Sequence, residues 1–553
     1  MPHLAPRRAL LRRRSTVLAA VAVLGVVLAG CSTAVAGTAA PVAGTAAPAT
    51  AISGGAVLDP SPAEIPAGLE KFYTQKLAWG SCIDYAQTSL DKQTYATPGL
   101  LCARLQVPVS YPDPTGKTAT VGVMKAPSTG TDPMGAVVFN PGGPGASGMS
   151  TIGQFAGYGI GADLREHFDL VGFDPRGTGA SRPVISCHTD AQWDAERASN
   201  LRTATAAGVA KINAQVERVA QSCIATTGKA EGIDGAAFLA SVGDRDVAKD
   251  MDVLRAALGE QKLTYVGYSA GTLLGTLYAE EFPQNVRGMI LDGAVDPAQN
   301  PTDDVVDQGK SFQQAFDAFA KWCAGQQQCA LGTDPSAATG AFQKLTRPLL
   351  ETPLKLADGR VLTYQDAITG TSEAMYSDSE RPTLAKGLQQ LTKGDGTGLM
   401  QLADAYDDRD SAGHYSNLID AFNVITCLNN PRVSAAEELK LNTAYVKAAP
   451  FTDSGDPPTA TKQLCDYLPA PTLQPHTPNV PGLAKVLVIS TTGDPATPYQ
   501  AGVNLAKDLG AALLTVDGSR HTEYLGAGVK CADDIGNAYL IDLKIPAAGV
   551  KCS

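Results

Sequence analysis

Short apolar runs rich in β-branched residues recur along the chain, at Thr118 to Met124, Ala136 to Asn140, Phe168 to Phe173, Leu263 to Tyr268, Gly288 to Leu291, Val486 to Ser490 and Ala511 to Val516. Each is bounded by Gly, Pro or Asp, the pattern of strands buried on both faces. Asp244 to Leu258, just before the fourth run, carries apolar residues at helical spacing instead. Strands alternating with helices predict an α/β protein built on a mostly parallel sheet flanked by helices. The alternation lapses near Pro297 and resumes near Val486. Between them lie helical patterns such as Val305 to Ala324 and Pro382 to Tyr406, then the Pro-rich Leu468 to Pro481. One sheet interrupted by a large, mainly helical insertion accounts for this: a first core part over 59–297, the insertion and its linker over 298–480, and a C-terminal core part over 481–553.

The front of the chain reads differently. Arg7, Arg8, Arg12, Arg13 and Arg14 precede an apolar run from Val17 to Ala29, the layout of a secretory signal peptide. That run falls short of the ~20 residues that span a bilayer. Leu28-Ala29-Gly30-Cys31 resembles the lipobox of bacterial lipoproteins, so residues 1–31 are expected to be a leader, with Cys31 taking the lipid and attaching the protein to a membrane. Residues 32–58 are low in complexity and repeat Val-Ala-Gly-Thr-Ala-Ala-Pro from Val35 and from Val42, the composition of a flexible tether. The expected location is the cell envelope, as a lipoprotein, or the exterior.

Composition narrows the chemistry. Of 553 residues 44% are hydrophobic and 18% charged, too apolar for a disordered chain. Losing the five leader arginines and no acids takes the formal charge from -11 to -16, which excludes nucleic acid as an expected partner. Setting Cys31 aside, an even number of cysteines remains for an oxidising compartment, so disulfides are expected. Sequence does not fix their pairing; spacing points to neighbours, Cys82 with Cys102, Cys187 with Cys223, Cys323 with Cys329, Cys427 with Cys465 and Cys531 with Cys552. With no CxxC pair or Cys/His cluster, neither a metal nor an organic cofactor is expected.

Gly267-Tyr268-Ser269-Ala270-Gly271 joins the run Leu263 to Val266 to the helix-prone Thr272 to Glu281. A strand turning sharply into a helix, with Gly on both flanks, presents its serine as a nucleophile. In this arrangement the acid and then the histidine follow the serine, and His414, His476 and His521 are the histidines beyond Ser269. His414 falls in the insertion and His476 in a Pro-rich linker, whereas His521 lies just past the run Ala511 to Val516. Asp494, after Val486 to Ser490, is the expected acid, with Asp292 after Gly288 to Leu291 as the alternative. Thr497 is placed to donate its hydroxyl to Asp494. Asn140-Pro141-Gly142-Gly143-Pro144-Gly145 ends the strand run before it, where backbone N–H groups of Gly143 and of Ala270 are expected to form an oxyanion hole.

Asn140 to Gly148 (NPGGPGASG), Asp174 to Ser181 (DPRGTGAS), Gly267 to Gly271 (GYSAG), Asp494 to Pro498 (DPATP) and Ser519 to His521 together resemble the α/β-hydrolase serine peptidases of the prolyl-iminopeptidase-like family, closest to secreted bacterial tripeptidyl aminopeptidases. The resemblance implies an α/β-hydrolase fold with a helical cap, a Ser269–His521–Asp494 triad, and peptide substrates entered at a free N-terminus. Arg176 is then expected to brace the NPGGPG loop, and Glu373 to receive the substrate amine. Where that family carries Ile-x-Cys-x-Asp, this chain has Ile425-Thr426-Cys427-Leu428-Asn429. A lipase or esterase uses the same triad on the same fold, and a catalytically inactive, lipid-anchored binding protein is the reading from another class.

Overall fold

A computed structural model describes residues 65–553. The leader, Cys31 and the tether lie outside the described residues, apart from which no described helix is long and apolar enough to cross a membrane. The strands are β1 (Leu101–Pro108), β2 (Thr118–Ala126), β3 (Ala136–Asn140), β4 (Asp169–Asp174), β5 (Leu263–Tyr268), β6 (Val286–Asp292), the short hairpin β7 (Leu354–Lys355) and β8 (Val361–Leu362), then β9 (Leu487–Thr491), β10 (Ala512–Val516) and β11 (Lys551–Cys552). All but the hairpin form one nine-stranded sheet in the order β1-β2-β4-β3-β5-β6-β9-β10-β11. β2 pairs antiparallel with β1 and β4, and every later pairing is parallel.

Alternation along the central strands explains why both faces are covered. Val138, Val171 and Leu291 face one apolar layer with Met251, Leu274 and Leu505 from helices Asp244–Leu258, Ala270–Glu281 and Tyr499–Asp508. Their neighbours Val137, Leu170 and Ile290 face the other, with Ile152 and Leu540 from helices Gly148–Tyr158 and Lys530–Asp542. Register then aligns the strand ends: Asn140 lies opposite Gly267, Tyr268 opposite Asp292, and Asp292 opposite Ile489. Loops leaving these ends share one edge, where open α/β sheets place their ligands.

The insert between β6 and β9 has an apolar core of its own, in which Phe316 stacks on Phe451 with ring centroids 5.1 Å apart and meets Phe342 edge-on at 5.3 Å. Three features depart from the sequence reading. Pro382 to Tyr406 is two helices, Arg381–Leu391 and Thr397–Tyr406, broken by a turn at Gly394, whose φ of +77° suits glycine. Helix Leu418–Asn429 belongs to the insert by sequence but buries Ala421, Val424, Ile425 and Leu428 in the layer covering the sheet. Conversely, the connection between β4 and β5 sends helix Asp190–Ala198 and the residues after it into the insert.

That exchange is sealed by charge. Arg197 reaches Asp366 at 2.9 Å, Asp404 at 2.8 Å and Asp407 at 3.3 Å, and Arg202 reaches Asp456 at 2.5 Å. His188 bonds Asp420 through Nδ1 at 2.7 Å and Glu196 through Nε2 at 3.1 Å, with Trp193 against its ring face. The five disulfides join the neighbours that the spacing pointed to, Cys82–Cys102, Cys187–Cys223, Cys323–Cys329, Cys427–Cys465 and Cys531–Cys552.

Candidate active site

Ser269 leaves β5 at φ +54°, ψ -127° and starts helix Ala270–Glu281. A non-glycine residue in that region is strained, and such strain persists only where the surroundings enforce it. Here the Ser269 N–H is held by the Asp292 carbonyl at 2.9 Å, and the Tyr265 hydroxyl donates to the Gly271 carbonyl at 2.8 Å. A Cβ on Gly271 would come within 2.7 Å of the Asn140 carbonyl oxygen, so the turn closes directly on the end of β3. The Ser269 side chain is partly exposed and its Oγ makes no hydrogen bond among the described residues.

Asp494 follows β9 with its side chain fully buried, and His521 follows β10 with 11% of its side chain exposed. His521 Nδ1 lies 2.9 Å from each Asp494 oxygen. Asp494 also accepts the N–H groups of Ala496 and Thr497 and the Thr497 hydroxyl, each at 2.9 Å. Every oxygen of the carboxylate is therefore occupied, and its orientation is fixed. Burial alone pulls the His521 pKa down, yet the charge and hydrogen bond of Asp494, with Asp292 behind them, bring it above the ordinary imidazole value. Of the two acids the sequence left open, Asp494 is the one that meets the ring.

The NPGGPG loop lies against the Ser269 turn. A Cβ on Gly142, at φ +87°, would stand 2.4 Å from the Tyr268 carbonyl and 2.8 Å from the Ala270 nitrogen. The Gly142 N–H is used internally, donating to Asn140 Oδ1 at 2.9 Å, while the Gly143 N–H has no partner among the described residues. Ala270 is the first residue of its helix, where the N–H has no partner within the helix. Two unclaimed donors thus flank the serine.

Arg176 corrects an expectation. It is fully buried and bonds Asp250 (2.7 and 2.5 Å), the Val109, Ser241 and Pro108 carbonyls, and nothing in the NPGGPG loop. It ties the end of β1 to helix Asp244–Leu258. Asp174, at the end of β4, instead holds the start of the helix that follows that loop: Oδ1 accepts the Ser147 hydroxyl at 2.6 Å and the Met149 N–H at 3.0 Å, and Oδ2 accepts the Ala180 N–H at 2.7 Å. The DPRG motif contained both side chains; its Asp at a strand end, followed by a tight turn, was the available signal.

The insert reaches His521 directly. The Tyr376 carbonyl accepts the His521 N–H at 2.9 Å, its ring meets the imidazole edge-on at 5.5 Å, and Arg381 donates to the Ser519 hydroxyl at 3.1 Å. Glu373, one turn before Tyr376, has no ion-pair partner among the described residues; burial pushes its carboxyl up to about 7, with Glu380 and Asp407 adding to the effect. Asn429 lies elsewhere, its side-chain oxygen accepting the Asp244 N–H at 3.2 Å. No group of His, Cys, Asp and Glu suited to a metal ion occurs among the described residues.

A parallel sheet whose strand ends present a strained serine, a carboxylate-bound histidine and two free N–H donors defines a serine hydrolase of the α/β-hydrolase class. Residues 135–526 match the family described as alpha/beta hydrolase fold, and the chain belongs to that family. A Mycobacterium tuberculosis protein named serine protease Hip1 is 42% identical over 492 residues, covering 86% of this chain and 91% of that one. Carboxylesterase B of the same organism is 38% identical over 508 residues, covering 90% and 94%. The tripeptidyl aminopeptidase of Streptomyces lividans is 28% identical over 470 residues, covering 82% and 83%.

Proposed function

We propose that this protein is an exported serine peptidase that cleaves near the free N-terminus of peptides through an acyl-enzyme. The observation that carries the catalytic part is the His521 ring bound at 2.9 Å to both oxygens of Asp494, beside a serine held in a strained turn. In this reading His521 Nε2 takes the Ser269 proton as Oγ attacks the scissile carbonyl, and returns it to the departing amine. Asp494 keeps the proton on Nδ1 and stabilises the imidazolium. The oxyanion is received by the N–H groups of Gly143 and Ala270, each worth ~2.7 to 4 kcal/mol in the transition state. Water then repeats the sequence on the acyl-enzyme.

The insert acts as a lid in this proposal. Glu373 offers an uncompensated carboxylate two side chains away from His521, where a charged hydrogen bond to a substrate ammonium contributes about 1.5 to 3 kcal/mol. The relatives named serine protease and tripeptidyl aminopeptidase support peptides as substrates. Five disulfides and the leader-like start support export, and Cys31 is proposed as the lipid attachment site. The relative named carboxylesterase B favours a second reading, hydrolysis of envelope esters by the same triad.

A panel of peptidyl anilides with free and blocked N-termini, run beside acyl esters, separates these readings. Faster turnover of the free-amine peptides is expected. Preference for blocked peptides would remove the exopeptidase assignment, and preference for acyl esters would move the function to the second reading.

A further inference from the structure

One buried carboxylate of the site is not used by the triad. Asp292 ends β6 with no exposed surface. Its carbonyl accepts the Ser269 N–H at 2.9 Å, while its Oδ2 accepts the N–H groups of Glu523 at 2.8 Å and Tyr524 at 2.7 Å, the second and third residues after His521. Oδ1 is buried and has no hydrogen-bond partner among the described residues. The loop it grips is strained: Thr522 sits at φ +62° and Leu525 at +50°. A β-branched residue in that region is a genuine outlier, and such conformations cost of order 1 to 3 kcal/mol unless the surroundings enforce them. Two successive N–H groups after a left-handed residue form a concavity that favours an anion, and the Asp292 carboxylate fills it.

We propose that Asp292 is a positioning residue for the reaction: it clamps the His521 loop to the Ser269 turn, and its carboxylate stands behind the imidazole. The proposal rests on the triad reading above. Asp292 faces Asp494 and His521 on the site side, with the Tyr268 phenol beside it. Glu523 adds Arg520 and Asp378 on its outer side, and from the lid Tyr376 covers His521 with Glu373 near by. Around Asp292 the cationic or proton-accepting groups are His521 and Arg520, with Arg381 on Ser519 of the same loop, against the four carboxylates of Asp494, Glu523, Asp378 and Glu373. Burial pushes Asp292 up to about 7 against its two N–H bonds, and burial and then Asp292 push Glu523 up to about 7, so their charge grows as pH rises through neutrality. An unpaired Oδ1 also makes the isosteric amide a clean probe, since an NH₂ group placed there meets no opposing donor.

The test compares D292A, D292N, D494N and S269A in the full-length protein, with thermal melts to establish folding. Peptide turnover is measured beside the rate of labelling by a fluorophosphonate, which needs no knowledge of the substrate. D292A is expected to lose about 10²-fold in both rates with little change in KM, as displacement of a reacting group by about 1 Å does. D292N restores the clamp without the charge, so it recovers most of that loss, and the acid limb of its kcat/KM profile moves to lower pH because the imidazolium has lost a stabilising neighbour. D494N loses ~10⁴-fold. Wild-type rates in D292A, or an acid limb in D292N that stays put or rises, overturn the proposal. So does a D292N variant as impaired as D494N, which would make Asp292 the triad acid. If D292A does not fold, D292N decides alone. Labelling or turnover retained by S269A would instead remove the triad reading, whatever Asp292 does.

Discussion

The edge of the sheet and the lid above it are held together by different means. At the edge, Ser269, Asp494 and His521 follow aligned strand ends, and their loops are tied mainly through the backbone: Ser269 N–H to the Asp292 carbonyl, Ala496 and Thr497 N–H to Asp494, Glu523 and Tyr524 N–H to Asp292. The lid is packed around its own aromatic residues and attached by long charged side chains, Arg197 and Arg202 to four aspartates. The backbone ties converge on Asp292 and Asp494, so the reacting geometry depends on few side chains. Side-chain ties depend on specific charged pairs, so the lid keeps its seat only while both partners are present.

The sharpest way to separate the two regions is Ser269→Ala. Turnover is expected to fall by something on the order of 10⁶, with the melting temperature unchanged because Oγ makes no hydrogen bond among the described residues; steady-state assay and a thermal melt read both. Arg197→Met tests the seat of the lid. Removing one partner of a buried ion pair costs about 3 to 5 kcal/mol, and here it leaves Asp366 and Asp407 without their guanidinium while Asp404 keeps Arg360. Denaturant unfolding should show that loss, while hydrolysis of a small ester, which needs no lid, suffers less than hydrolysis of a peptide.

Glu373→Gln acts on the lid alone. KM for free-amine peptides should rise by about 10- to 100-fold, the worth of one charged hydrogen bond, with blocked substrates unaffected. The same residue gives the wild type a pH dependence: its carboxyl protonates below about 7, so KM for free-amine peptides should climb as pH falls from 8 to 5.5. The smallest effect is expected at His188. Burial disfavours its charge, but Asp420 and Glu196 outweigh burial and bring its pKa to about 9. Raised above the ordinary 6.5, it contributes stability that is complete below that value and lost as pH rises through about 9. His188→Gln should therefore lower the melting temperature at pH 7 and flatten its decline between pH 7 and 10.

The platform was also the more legible region. β3 and β5 match their apolar runs end to end, as does helix Asp244–Leu258, because central parallel strands and an amphipathic helix leave strong local patterns. β1 escaped notice: it is an edge strand on which Arg104 and Gln106 face solvent and interrupt the apolar run. β11, at two residues, has too little pattern to read. The lid was legible only as helices. Nothing local to Arg197 distinguishes a guanidinium reaching Asp366 and Asp404 from one lying in water, and the same blindness sent Arg176 to the wrong partner. Asp292, next to a strand end, was visible as a candidate acid, but its grip on two N–H groups beyond His521 is a long-range fact.

The β4–β5 connection makes the lid a two-segment unit. A recombination event that exchanged only the chain between β6 and β9 would set a foreign lid on the host's Arg197 and Arg202, without the aspartates those side chains require. A chimera designed to transplant the lid must therefore carry two distant segments, the β4–β5 connection and the chain between β6 and β9.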